Sequence, residues 1–203
     1  MKRTSALLLA ALLAAATPSL ALAQASTDAT KLESGHFTID SSHAKVVFAI
    51  THFGFSTYYG AFPDLKGTLD FDAKAPAKST LDVEINVAGL ATMNPKLDEH
   101  LNSKDFFDTA QFPKATFKAT KIEVTGAGKG KITGDLTLHG VTKPVTLDAT
   151  LHGGGTNPMT KAYVIGFDAK TVVKRSEFGV STYVPAVADD VELLISAEFD
   201  RAQ

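Results

Sequence analysis

From Phe37 onward the chain alternates apolar and polar residues with a period of two, which is the signature of β-strands that have one dry and one wet face. Leu81, Val83, Ile85 and Val87 are interleaved with Asp82, Glu84 and Asn86. The same pattern runs through Leu65-Gly67-Leu69-Phe71, Ile132-Gly134-Leu136-Leu138, Val145-Leu147-Ala149-Leu151 and Tyr163-Ile165-Phe167-Ala169. It closes the chain with Val191, Leu193, Ile195, Ala197 and Phe199. β-Branched and aromatic residues are common in these runs, as a pleated, half-buried surface favours.

About eight long strands joined by short turns suit either a sandwich or an up-and-down barrel. Nearly every strand, both terminal ones included, keeps a polar face, so none is buried on both sides. A barrel accounts for this and leaves no exposed edge. Eight strands enclose a space that side chains can fill or that one small ligand can occupy. The expected fold is therefore all-β, an eight-stranded antiparallel barrel.

The connections carry turn chemistry. Gly126-Ala127-Gly128-Lys129-Gly130 reads as a hairpin, and its spacing fails the phosphate-loop pattern. Gly153-Gly154-Gly155-Thr156-Asn157-Pro158 and Ala73 to Ala77 read as loops. One connection is long and different. Asn94 is a good N-cap, Pro95 suits the first helical position, and Leu97 and Leu101 lie one turn apart. A short helix is expected over Pro95 to Asn102, followed by the apolar pair Phe106-Phe107, as a lid or plug for one end.

The N-terminus has the three-part form of an export signal. Lys2 and Arg3 precede the apolar run Ala6 to Ala16, and Ala21-Leu22-Ala23 offers a small-x-small cleavage site. That run is well short of the roughly 20 residues that span a bilayer. The expected organisation is a cleavable signal over 1–23, a disordered leader over 24–34 rich in Ala, Ser, Thr and Asp, and a barrel domain over 35–203.

Composition narrows the function. Lys2 and Arg3 are two of 20 basic side chains set against 22 acidic ones, so the cleaved chain is mildly acidic. That argues against nucleic acid as a partner. The sequence holds no cysteine, so stability rests on burial and strand pairing, and thiolate metal sites and cysteine nucleophiles are excluded. The six histidines, His36, His43, His52, His100, His139 and His152, form no His-x-His, His-x-x-x-His or His-Glu-x-x-His run, so no metal is expected. No Gly-x-Ser-x-Gly elbow occurs, no cofactor is implied, and the expectation is a binding protein without catalytic residues.

The 13 Phe and 4 Tyr residues are the better clue, because many concentrate in two stretches. Phe48 and Ile50 share the inward face of a strand with His52, which falls near a rim. Phe53, Phe55 and Phe62 follow in the first stretch, and Phe106, Phe107 and Phe117 belong to the second. Rings at strand ends and loops often line a cavity mouth. Phe71 and Ile85 face inward by alternation, and Arg175 with Glu177 could supply a polar rim. Phe178 and Tyr183 complete the set of candidate ligand-contacting residues.

Four blocks in order resemble the YceI-like family of bacterial periplasmic proteins. They are Ile39-Asp40-Ser41-Ser42-His43 leading to His52-Phe53-Gly54-Phe55-Ser56; Leu101-Asn102-Ser103-Lys104-Asp105-Phe106-Phe107-Asp108; Gly134-Asp135-Leu136-Thr137-Leu138-His139-Gly140; and Arg175-Ser176-Glu177-Phe178-Gly179. The chain departs from the common pattern at Ala44 and at Asn94-Pro95-Lys96. The resemblance implies an extended, lipocalin-like, eight-stranded barrel with a long apolar pore. It implies a long-chain isoprenoid or other amphiphilic lipid as ligand, with the membrane only as the ligand's source, and a homodimer as one assembly. The alternatives are a filled barrel acting as a stress-related interaction module, and a lipid-modifying enzyme using His52, His100 or Asp105.

Overall fold

The computed structural model describes residues 25–202, so the expected signal segment lies outside the described residues. Ten antiparallel strands and one helix follow in order: β1 (Gly35–Ile39), β2 (Lys45–His52), β3 (Ser56–Phe62), β4 (Leu65–Phe71), β5 (Thr80–Asn86), α1 (Pro95–Asn102), β6 (Lys114–Gly126), β7 (Lys129–Leu138), β8 (Val141–Thr156), β9 (Tyr163–Lys174) and β10 (Val187–Arg201).

Eight of these segments close a ring in the order β1-β4-β5-β6-β7-β8-β9-β10, and β1 returns to β10 through Phe37↔Arg201 and Ile39↔Phe199. Further along the same edge of β10, β2 takes over with Val46↔Ile195 and Ile50↔Val191, and β3 pairs with β2. Thus β1 and β2 act as one long strand broken by the turn Ser41–His43, and β3 and β4 as another broken at Pro63-Asp64. The ten segments make the expected eight-stranded closed barrel. Proline cannot donate to a ladder, which fits the break before β4. At the first break Asp40 caps the turn, accepting from Ser42 N at 2.9 Å and Ser42 Oγ at 2.6 Å.

Between β5 and β6 the wall near β3 is completed without a strand. Ala61 bridges to Ala91, and α1 follows. The helix has the expected bounds: Asn94 Oδ1 accepts from Leu97 N, and Pro95 starts the first turn. Among the described residues no helix is long and apolar enough to cross a membrane.

Two segments differ from expectation. Residues 25–34 are not a loose leader but close one end of the barrel. Ser26 pairs with Gly154, Leu32 is buried in the core, and Glu33 N donates to Tyr163 Oη at 3.0 Å. Arg201 ties the segment down through Glu33 and the Ser34 carbonyl. The glycine run Gly153-Gly154-Gly155 is the reason. It continues β8 rather than forming a loop, with a register shift between Leu151 and Gly153. A Cβ on Gly154 would lie 2.9 Å from Leu32 Cδ2, so the bare backbone makes the seat for Leu32.

Candidate functional site

The alternation sends one row of each strand inward, and those rows line a cavity of about 540 Å³ that follows the barrel. On β10 the lining row runs Val187, Val191, Leu193, Ile195, Ala197 and Phe199. Twelve strand steps at about 3.3 Å, tilted about 40° from the axis, correspond to a tunnel about 30 Å long. The middle is apolar apart from Thr171 on β9, the cross-strand partner of Leu193. Polar side chains concentrate at the ends: His52, Tyr58, His100, Arg175 and Tyr183 at one, Ser79, Glu123 and Lys129 at the other.

Two glycines keep the interior open. Phe48 lies across its strand partner Gly60, where a Cβ would meet Phe48 Cζ at 2.3 Å, and Phe117 lies over Gly134, where a Cβ would meet its Cζ at 2.5 Å. Both rings therefore lie flat along the wall instead of standing across it.

The mouth is built from three segments. From the β2–β3 turn, Phe53 packs edge-on against His52 with ring centroids 4.6 Å apart. From α1 and the turn after it come Leu97, His100, Leu101, Phe106 and Phe107. Phe107 meets Phe62 edge-on at 6.0 Å, and His100 meets Phe106 at 5.0 Å. The loop before β10 supplies Tyr183, which packs on both His100 and Phe106. Thr182 Oγ1 donates to the Asp105 carbonyl, tying this loop to the turn after α1.

Of the candidate residues, Phe48, Ile50, His52, Phe53, Phe62, Phe71, Ile85, Phe106, Phe107, Phe117, Arg175 and Tyr183 line the cavity. Phe55 and Phe178 do not. Phe55 is 89 % exposed, because the tight turn with Phe53 and Gly54 at positive φ throws its ring into solvent. Phe178 is 1 % exposed and is spent on packing: the 3-10 turn Arg175–Phe178 breaks the alternation and turns the ring into a cluster with Phe48, Val173 and Val191.

Of the expected polar rim, Arg175 lines the cavity and Glu177 does not. Glu177 is exposed and off the cavity wall. Arg175 is only 7 % exposed and donates to the carbonyls of Ala188, Val180, Thr182 and Val187, each at 2.9 Å. Desolvation pulls its pKa below the usual guanidinium value, and Asp189 works against that shift.

Leu97, His100 and Leu101 join the wall although strand alternation does not reach them. The signal available for the two leucines was their one-turn spacing on α1. Most other histidines are engaged away from the tunnel: His36 with Asp70 at 2.7 Å, His152 with Asp168 at 3.1 Å, and His139 with the Phe178 carbonyl at 3.1 Å. Asp40, His43 and Glu198 bring donor atoms within 4.8 Å of one another. Asp40 Oδ2 and His43 Nδ1 are already bonded to each other at 2.6 Å, so the group works as an ion pair at the β1–β2 break.

Fold and cavity together define an antiparallel β-barrel built around an apolar tunnel that is gated by aromatic rings. The chain belongs to the family of the YceI-like domain, whose model matches residues 37–199. It is 43 % identical over 159 residues to Protein YceI of Escherichia coli O157:H7, covering 78 % of this chain and 82 % of that one. Among solved structures it is similar to BcnA of Burkholderia cenocepacia, with a TM-score of 0.72 and 27 % identity over 79 % of this chain and 98 % of that one. It also shares its fold with a polyisoprenoid-binding domain from Saccharophagus degradans, with a TM-score of 0.62 and 12 % identity over 84 % of this chain and 100 % of that one.

Proposed function

We propose that this protein is exported to the periplasm through a cleavable signal peptide and there binds, and carries or stores, one long-chain amphiphilic lipid of the isoprenoid class. The observation that carries the reading is the apolar tunnel of about 540 Å³, with polar groups gathered at its ends. A single unbranched or methyl-branched tail fits such a shape, with its head at a mouth. The shared barrel of a domain described as polyisoprenoid-binding supports the same ligand class. The membrane is the source of the ligand in this reading, and the protein binds rather than turns over what it holds.

Burying a fifteen-carbon tail is worth on the order of 12 kcal/mol gross, at about 0.8 kcal/mol per methylene. Lost translational freedom and tail ordering reduce this to micromolar affinity or tighter. An open interior favours carriage over a side-chain-filled interaction module. A homodimer belongs to the proposal, supported by the exposed Tyr59, Val172 and Leu194 on the outer face of neighbouring strands β3, β9 and β10 with β2 between. Analytical ultracentrifugation across a concentration series tests it, and a monomer throughout would remove it. Titration with polyprenyl lipids tests the central reading: saturable one-to-one binding is expected, and no uptake of any of them would overturn it.

A further inference from the structure

The ring of strands closes on itself where β1 meets β10, so residues 25–34 are not needed to complete it. They also precede Phe37, where the match to the YceI-like domain begins. Yet this segment is fastened on two opposite sides of the barrel, at the end away from the aromatic mouth. On one side Ser26 and Gly154 of β8 exchange backbone hydrogen bonds at 2.8 and 2.9 Å. On the other, Ala73 N, just past β4, donates to Ser34 Oγ at 2.9 Å, and Arg201 holds Glu33 and the Ser34 carbonyl. In the ring order β1-β4-β5-β6-β7-β8-β9-β10, strands β4 and β8 stand opposite each other, so the segment spans the opening.

Its middle is sorted by polarity. Asp28 caps the 3-10 turn Ala29–Lys31 by accepting from Thr30 N at 3.0 Å. Three residues per turn place positions 29 and 32 on one face. Ala29 lines the tunnel and Leu32 is buried in the core, while Asp28, Thr30 and Lys31 are exposed. A spacer has no use for an apolar side turned to a cavity, whereas an end wall requires one.

We propose that residues 25–34 are a stopper that sets the longest tail the tunnel accepts, with Ala29 at the point where the tail ends. The inference rests on the lipid-binding reading above and adds chain-length selection, encoded outside the matched domain. The seat of the stopper is narrow: Leu32 lies on the bare backbone of Gly154, where a Cβ would come within 2.9 Å of Leu32 Cδ2. Side-chain changes at 29 and 32 therefore move the stopper without altering a strand of the ring. Each methylene buried strengthens binding about fourfold, so affinity climbs with tail length and stops climbing once the tail reaches Ala29.

The test sets farnesol, geranylgeraniol, hexaprenol and solanesol against the intact wild type, Ala29→Leu and Leu32→Asp, by displacement of a fluorescent apolar probe. In the wild type affinity is expected to climb and then break at one member of the series. Ala29→Leu pushes the stopper into the tunnel. The longest prenol that gains affinity in the wild type is then expected to weaken about tenfold, while farnesol stays within about threefold. Leu32→Asp unseats the stopper, because a carboxylate is not tolerated in an apolar seat, and solanesol is expected to gain at least about tenfold.

A second readout needs no lipid. The chain holds no cysteine, so Ala149→Cys puts one labelling site on the tunnel wall. Its reaction with a maleimide is expected to quicken about tenfold when Leu32→Asp is added and the melting transition is retained. A break that Ala29→Leu does not move, or affinity that climbs unbroken through solanesol in the wild type, would overturn the stopper and leave lipid binding intact. Either outcome counts whether or not Leu32→Asp folds. Failure of every prenol to bind the wild type would overturn the lipid-binding reading instead, and unchanged labelling would then overturn the stopper by itself.

Discussion

Tyr183 lies against Phe106 with ring centroids 6.1 Å apart and ring planes 56° apart, and the two belong to segments far apart in sequence. One ring is carried by the loop that Arg175 clamps, the other by the turn after α1, and His100 fills the space beside both. The contact holds two lining rings together at the tunnel mouth, a kind of contact worth about 0.5–1.5 kcal/mol beyond area burial. A ligand passing this end moves against these rings.

Phe106→Ala should therefore act on rates more than on affinity. Dissociation of a bound apolar probe, followed by stopped-flow fluorescence, is expected to accelerate about threefold to tenfold, as loss of one such contact implies. The melting temperature should change little. An unchanged off-rate would place the ligand's route elsewhere.

Ala149 and Ala169 are cross-strand partners that both line the tunnel. Ala149→Trp puts a large ring into that space and shortens the part a tail can use. Long tails that lose room for two methylenes should weaken about tenfold, while short tails stay within about threefold. Equal weakening at every tail length would show that the tail does not reach this level.

Gly60→Ala places a methyl 2.3 Å from Phe48 Cζ, and the ring, packed on Phe62 at 5.7 Å, can yield only toward the cavity. Overpacking of this kind costs about 1–3 kcal/mol. Urea unfolding should show that loss, and the ligand-binding capacity for bulky tails should fall with it. Full retention of both would mean that the wall relaxes outward.

The Asp40–His43 pair sets a pH window. Hydrogen bonds from Ser42 and His43 hold the Asp40 carboxyl at about 2, below its usual value of 3.8. Asp40 in turn raises His43 above 6.5, helped by Glu198 and opposed by Lys45. The depressed Asp40 contributes stability that is present above pH 3.8 and lost as pH falls toward about 2. The raised His43 contributes stability that is present below pH 6.5 and lost as pH rises through its folded value. The destabilisation of His43→Ala should thus be largest near pH 5, fade as pH rises past the raised His43 value, and shrink with salt because the pair is exposed. Melting curves across pH check this, and a pH-independent difference would contradict it.

Much of the barrel was legible in the chain because its interior is drawn by local chemistry. Val191, Leu193, Ile195, Ala197 and Phe199 face the tunnel as their alternation required, and Asn94-Pro95 marked the start of α1. What was not legible depended on distant partners. Leu32 looks like one apolar residue in a polar stretch until Gly154 provides its seat. Phe53 and Phe55 are two residues apart in one motif, yet the positive-φ turn leaves one at the mouth and the other in solvent. The place of Arg175 on the cavity wall was legible but its partners were not, because they are backbone carbonyls that no side-chain pattern records.

The most direct test of the account is native mass spectrometry of the protein purified from cells, followed by solvent extraction and incubation with polyprenyl lipids. The account predicts a one-to-one complex with a single long-tailed amphiphile, or stoichiometric uptake of an added one, and loss of the long-tailed species in Ala149→Trp. A protein that carries no lipid and takes up none would contradict it.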